Sequence, residues 1–378
     1  MHILISPNAF KNSIDATAAA KAIEVGLQQS SLACTTHCFP VGDGGDGTGH
    51  LLTTILNGIF INESVHDPLG RKIDAGYGLI DNGQTAVVEM AAASGLRLLH
   101  KDELDPLQAS SFGTGELIKK ALDKGVKKIL LCVGGSATVD AGCGILEAAG
   151  IRFLDTNGDA LRGMPESLIH LAAIDLSGLD KRISGIDLTI LADVSNPLLG
   201  ENGAAKIFGP QKGASDAAVL KLEASLRQFN QVVLVKTGID MASLKYGGAA
   251  GGTAAGLAAL LNAKLTNGID QFLALTHFDE ELQKANLVIT GEGSIDLQTL
   301  EGKAPYGVAL RAKGMNIPVI GFAGKLPEKT SPELNNYFTR LININGEETD
   351  MATAMLAVKD NLFRSAWELG NQFANEQK

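Results

Sequence analysis

Aromatic residues make up only 5% of this 378-residue sequence, with a single Trp, so stacking platforms for bases or sugars are not expected. Positive charge is also short. Lys and Arg number 32 against 42 Asp and Glu, a formal net charge of −10. That balance argues against a nucleic-acid partner and against binding to anionic membranes. An anionic ligand would need a locally basic site or a cradle of backbone N–H groups. The four cysteines (34, 38, 132 and 143) form no CxxC pair, which excludes a disulfide framework and a structural zinc site. Apolar runs are broken by Lys, Glu or Gly well before 18 residues, so no membrane-spanning helix is expected. Met1-His2-Ile3-Leu4-Ile5 runs straight into a strand pattern, His2 to Ser6, without a basic n-region or long apolar h-region. The expectation is a cytoplasmic protein. GxxxxGK(S/T), GxSxG and HEXXH are all missing, and the seven histidines are scattered without ligand spacing. P-loop chemistry and histidine-based catalysis are therefore disfavoured.

Hydrophobic residues reach 45%, enough for a large core, and the length predicts two domains. Glycine is abundant: 44 of 378 residues, against roughly 7% in average proteins. Short apolar strands alternate with helical patterns near both ends of the chain, the sign of a parallel sheet. Between them, Ile59 to His66, Lys72 to Ile80 and Thr85 to Met90 read as a meander, punctuated by Pro68-Leu69-Gly70 and Asp81-Asn82-Gly83. An amphipathic helix is expected from about Ser215 to Val235, and a last one from about Met351 to Phe373. The fold class is α/β with two α/β domains. One is Rossmann-like, with a parallel sheet built from both chain ends (1–66 plus 285–378). The other (67–284) is inserted and has a mixed sheet, and the active site is expected in the cleft between them.

Five predicted strands run out into small and acidic residues: Gly42–Gly49, Gly134–Asp140, Asp193–Gly200, Gly291–Asp296 and Gly321–Lys325. In open α/β sheets, ligands bind beyond the carboxyl ends of strands. Gly134-Gly135-Ser136-Ala137-Thr138, ahead of a helix, suits a phosphate through backbone N–H groups, two hydroxyls and the helix end, or is a tight βα turn capped by Thr138 or Asp140. Gly42-x-Gly44-x-x-Gly47 matches the dinucleotide fingerprint, with Glu63 or Asp67 near the ribose-acid spacing. Asp43 and Asp46, between those glycines, would oppose a pyrophosphate and make more sense beside Mg²⁺, or the stretch is a capped turn. Asp193, at a strand end before Asn196-Pro197, could accept a hydroxyl proton, hold a metal or form an Asx turn. Glu292 and Asp296 place two acids around a turn, with Lys303 downstream. Lys11, Lys206 and Lys212 are candidate anion partners, and Glu89, ahead of Ala91-Ala92-Ala93-Ser94-Gly95, is ambiguous.

Taken in order, these motifs resemble those of the bacterial glycerate kinase family over nearly the whole chain. The carrying stretches are Pro7-Asn8-Ala9-Phe10-Lys11-Asn12-Ser13, Asp43-Gly44-Gly45-Asp46-Gly47-Thr48 and Gly134-Gly135-Ser136-Ala137-Thr138-Val139-Asp140. Asp193-Val194-Ser195-Asn196-Pro197-Leu198, Phe208 to Gly213, Thr290 to Asp296 and Gly302-Lys303-Ala304-Pro305 complete the set. The departures from the family pattern are Asn8 for Asp, Ala9 for Ser and Val139 for Asn. The resemblance implies ATP- and Mg²⁺-dependent phosphorylation of D-glycerate at the 2-hydroxyl. The alternatives are a glycerate 3-kinase giving 3-phosphoglycerate and, behind it, a dinucleotide-binding oxidoreductase. Asp193 is then expected as base or orienter of the hydroxyl, and Lys11 as neutraliser of transferring phosphate or of the glycerate carboxylate. Gly134, Gly135, Ser136, Thr138, Asn196, Lys212 and Ser94 would bind substrate and phosphate, while Asp43, Asp46, Glu292 and Asp296 compete as metal or ribose ligands. Small molecules are the expected partners, and the oligomeric state is left open.

Overall fold

The computed structural model describes residues 1–162, 165–345 and 350–376. Among them, strands β1 (His2–Ile5), β2 (Thr35–Cys38), β3 (Ile59–His66), β4 (Lys72–Ile80) and β5 (Thr85–Glu89) come first. Next are β6 (Lys128–Cys132), β7 (Arg152–Leu154), β8 (Ala160–Leu161), β9 (Ala173–Asp175) and β10 (Asp187–Ala192). The last are β11 (Lys264–Asn267), β12 (Leu287–Ser294), β13 (Val319–Lys325) and β14 (Arg340–Asn343). The chain forms two compact units: Met1–Asp43 with Ile269–Lys378, and Gly44–Gly268.

The first unit holds a five-stranded sheet in the order β14-β13-β12-β1-β2, with every neighbouring pair parallel. β1 is an interior strand between β12 and β2, and Ile3, Leu4 and Ile5 are fully buried, as a strand covered on both faces requires. Asp15 caps the following helix Ala16–Gln28, its carboxylate accepting from the Ala18 N–H at 2.7 Å. That helix turns Ala19, Ala20, Ile23 and Leu27 into one core with Leu362, Ala366 and Leu369 of the helix Val358–Glu376. The single C-terminal helix expected from the pattern is broken at Ala357, between Met351–Leu356 and Val358–Glu376. β12 and β13 also run further than the pattern suggests: Glu292 pairs with Ala323 and Ser294 with Lys325. Most of Gly291–Asp296 and Gly321–Lys325 is therefore strand, because β12 and β13 act as each other's ladder partners as far as Ser294 and Lys325 and hold the glycines extended.

The second unit contains a six-stranded mixed sheet ordered β11-β10-β6-β5-β4-β3. β10 pairs in parallel with β11 and β6, and β6 with β5, whereas β4 runs antiparallel to β5 and β3. Asp67 makes the first hairpin turn. Its carboxylate accepts from the Leu69 and Arg71 N–H groups, both at 2.9 Å, and from Arg71 Nε at 2.6 Å. Because β3 belongs to this sheet, the junction between units lies at Asp43/Gly44 rather than 66/67, and the return at 268/269 rather than 284/285. A separate three-stranded antiparallel sheet, β8-β7-β9, completes the unit. Ser215 caps the helix Asp216–Thr237, which presents Leu222, Leu226, Phe229 and Val233 to the core. Among the described residues, no helix is long and apolar enough to cross a membrane.

Candidate active site

In the second unit, β6 delivers Val133 into the glycine loop, and this loop receives the buried side chain of Lys212. The ammonium donates to Ser136 Oγ at 3.0 Å and to the Thr138 carbonyl at 2.7 Å, and Lys212 is only 3% exposed. Desolvation pushes the Lys212 pKa down to about 8, against the opposing pull of Asp140 and Asp193. Thr138 Oγ1 is buried without a hydrogen-bond partner. A buried hydroxyl without a partner is costly, so an ammonium, Ser136 and this oxygen form a donor set suited to an anionic oxygen.

The backbone contributes less than its sequence suggests. Gly134 N–H donates to the Gly44 carbonyl at 2.9 Å, and Ala137 N–H to the Ser94 carbonyl at 2.8 Å. Nor does a helix begin at Thr138, because the next one is Cys143–Ala148. Its amino end is already served from within: Asp140 accepts from Gly142 N at 3.0 Å and Gly144 N at 3.2 Å, and Ser111 Oγ accepts from Ile145 N at 3.1 Å. The helix-end contribution expected at Ser136 and Thr138 is thus directed to Asp140, a fully buried residue that also takes the Ser111 N–H and Oγ–H.

Asp193 follows β10 directly and lies against the same loop. A β-carbon on Gly134 would fall 2.8 Å from Asp193 Oδ2 and 2.5 Å from Gly45 Cα. Asn196 and Ser94 brace the surroundings: Asn196 Nδ2 donates to the Asn202 carbonyl at 2.9 Å, and Ser94 Oγ bonds Thr114 Oγ1 at 2.7 Å. The glycine run 247–252 packs against these loops. Gly251 has φ +66 and would strike the Thr138 carbonyl at 2.2 Å with any side chain, and its own carbonyl accepts from Ala141 N–H at 3.0 Å. Four glycines and two alanines in six residues are the signal for it. Glu89 holds the start of the helix Thr48–Ile55 by accepting from Gly49 N–H at 2.6 Å.

The four candidate metal acids fall into different settings. In the first unit, Asp43 and Glu292 are both buried, with Asn8 Nδ2 donating to Asp43 Oδ2 at 3.0 Å. Burial pushes the Glu292 carboxyl up to about 7, with Asp43 adding to it and Lys303 and Lys11 opposing. Two buried carboxylates suit a hard divalent cation. Mg²⁺ takes one or two such ligands and completes its shell with water and phosphate oxygens, so these residues fit it. Asp296 instead caps the turn Leu297–Glu301, accepting from Gln298 N–H at 2.9 Å. Asp46, in the second unit, pairs with Arg97 Nη1 at 3.0 Å. Among the described residues, no group of three or more His, Cys, Asp or Glu is gathered for a metal.

Residues 3–374 match the profile of the glycerate kinase family. The chain belongs to the glycerate kinase family. It is 44% identical to a glycerate kinase of Halalkalibacterium halodurans, over 86% of this chain and 85% of the relative. Identity to the glycerate 2-kinase of Escherichia coli is 42%, over 87% of this chain and 86% of the relative. A crystal structure described as glycerate kinase 2, from Salmonella typhimurium, superposes with a TM-score of 0.81 at 37% identity and covers 100% of this chain and 99% of that one. As a glycerate kinase family member the chain is a phosphotransferase, and the dinucleotide alternative falls away. Gly42 lies in one unit and Gly44 and Gly47 in the other; of the two acids at ribose spacing, Asp67 is engaged in its hairpin turn and Glu63 faces Lys120 at 3.5 Å.

Proposed function

We propose that this protein transfers the γ-phosphoryl group of ATP to the 2-hydroxyl of D-glycerate, releasing ADP and 2-phosphoglycerate. The observation that carries this reading is the buried Lys212 ammonium set between Ser136 and Thr138, beside Asp193. Phosphoryl transfer requires positioning and charge neutralisation rather than covalent chemistry by the protein. Lys212, Ser136 and the Thr138 hydroxyl hold a phosphate oxygen, and Asp193 orients the attacking hydroxyl and accepts its proton. Lys11 supplies a further cation, matched to transferring phosphate or to the glycerate carboxylate. Asp43 and Glu292 are the residues that would hold Mg²⁺, which would supply charge neutralisation for the phosphate. Asn196 and Ser94 keep the loops in place. The choice of the 2-hydroxyl over the 3-hydroxyl rests on the name of the Escherichia coli relative.

The test is ADP release from ATP-Mg²⁺ with D-glycerate, L-glycerate and related hydroxy acids, followed by phosphorus NMR of the product. Phosphate on the 2-oxygen of D-glycerate is expected. ADP release that does not depend on any added hydroxy acid would overturn the reading, and a 3-phosphate would correct the position.

A further inference from the structure

Lys212 and Asp140 are two buried charges whose hydrogen bonds all go to uncharged groups. Lys212 Nζ donates to Ser136 Oγ and the Thr138 carbonyl. Asp140 accepts from Ser111 N at 2.9 Å, Ser111 Oγ at 2.6 Å, Gly142 N at 3.0 Å and Gly144 N at 3.2 Å. Among the described residues neither forms an ion pair, although Lys212 is 3% exposed and Asp140 is fully buried. Isolated buried charges are expensive, and these two sit at opposite ends of one short stretch: Lys212 grips residues 136 and 138, and residue 140 carries the carboxylate. The charged groups facing the ammonium are Asp140 in the loop and Asp193 at the end of β10.

We propose that Asp140 is a positioning residue of the reaction. From beneath the glycine loop it keeps the Lys212 ammonium charged and aimed at Ser136 and Thr138, without touching substrate. This rests on the reading that Lys212 meets a phosphate oxygen. Its carboxylate therefore has two tasks in one place. Its hydrogen bonds fix the loop and the start of the helix Cys143–Ala148, and its charge offsets that of the lysine. Ser111, which shares the hydrogen bonds but carries no charge, separates the two tasks.

The experiment titrates Lys212 directly, by NMR of side-chain-labelled lysine in the full chain, with the resonance assigned from Lys212→Met. The wild-type midpoint is expected near 8. Asp140→Asn should lower it by about one pH unit or more, the shift an opposite charge normally supports. Ser111→Ala, which removes a hydrogen bond and no charge, should leave it within a few tenths of a unit. The alkaline limb of kcat/KM for ATP should move down with the midpoint in Asp140→Asn and stay in place in Ser111→Ala. An unmoved midpoint in Asp140→Asn, or an equal movement in Ser111→Ala, would overturn the proposal. Where Asp140→Asn alone does not fold, Asp140→Asn combined with Lys212→Met should fold, because the uncompensated ammonium is gone. A double variant that also fails to fold assigns Asp140 to the scaffold and overturns the charge role. The lysine titration needs no substrate. A moved midpoint in an enzyme without glycerate-dependent ADP release supports the coupling and refutes the kinase reading separately.

Discussion

Gly134 leaves Asp193 no room to give way: an alanine β-carbon at residue 134 would sit 2.8 Å from Asp193 Oδ2, with Gly45 Cα at 2.5 Å on its other flank. Backbone on one side and a carboxylate on the other mean that relief must come from moving the acid or the loop. Gly134→Ala is expected to lower stability by about 1–3 kcal/mol. It should reduce kcat/KM by about 10²-fold, the usual effect of misplacing a reacting group by an ångström. Urea unfolding and steady-state kinetics read the two effects separately.

Asp193→Asn tests the proton acceptor itself. The amide keeps the shape of the side chain and loses its basicity, so kcat should fall by about 10²-fold or more. The KM for ATP should stay within roughly threefold, because the variant leaves Lys212 and its loop in place. A kcat within about threefold of wild type removes Asp193 from the base role.

Lys212 gives stability a pH dependence of predictable sign. Its proton is lost near pH 8 in the folded protein, against a reference value of 10.5. Between those values the unfolded chain binds more protons, so stability rises with pH across that window. Below pH 8 the cost of burying the ammonium is fully present. The rise, on the order of 3 kcal/mol, should appear in wild type relative to Lys212→Met when urea midpoints are compared at pH 7.5 to 10.5. Activity has the opposite slope: kcat/KM for ATP should decline above pH 8 as the ammonium is lost.

The Mg²⁺ requirement should separate the four acids by their surroundings. Asp43→Asn and Glu292→Gln, at the buried pair, should raise the Mg²⁺ concentration for half-maximal rate by about tenfold or more, as loss of a ligand carboxylate implies. Asp296→Asn weakens a cap, worth about 1 kcal/mol, and should leave that concentration unchanged. Asp46→Asn releases Arg97 and should also leave it unchanged. Metal titration of the rate in all four variants decides it.

Much of the architecture was legible because burial writes itself into composition. The apolar runs of β1, β6 and β10 and the turn signals at Pro68-Leu69-Gly70 gave a parallel sheet and a mixed one. The junction was misplaced because a meander looks like a new beginning, although its first strand, β3, follows a helix that already belongs to the same unit. The two- and three-residue strands β7 to β9 are too short to show any alternation. In the site, residue types were readable and their allegiances were not. Asp296 and Asp43 look alike in sequence, yet one caps a turn while the other accepts from a buried amide. Asp140 was visible only as a possible cap, since a carboxylate serving four donors from two segments depends on tertiary contact.

The pairing of β1 with β12, Ile3 beside Leu287, has a consequence for biosynthesis. At about 5–20 residues per second, roughly a quarter of a minute to a minute separates the emergence of the two strands from the ribosome. During that interval β1 has only β2 to pair with, and by its end every strand of the six-stranded sheet has been made. The nascent first strand is thus an apolar edge in waiting, and a chain stalled before residue 287 would expose it to aggregation and to chaperones.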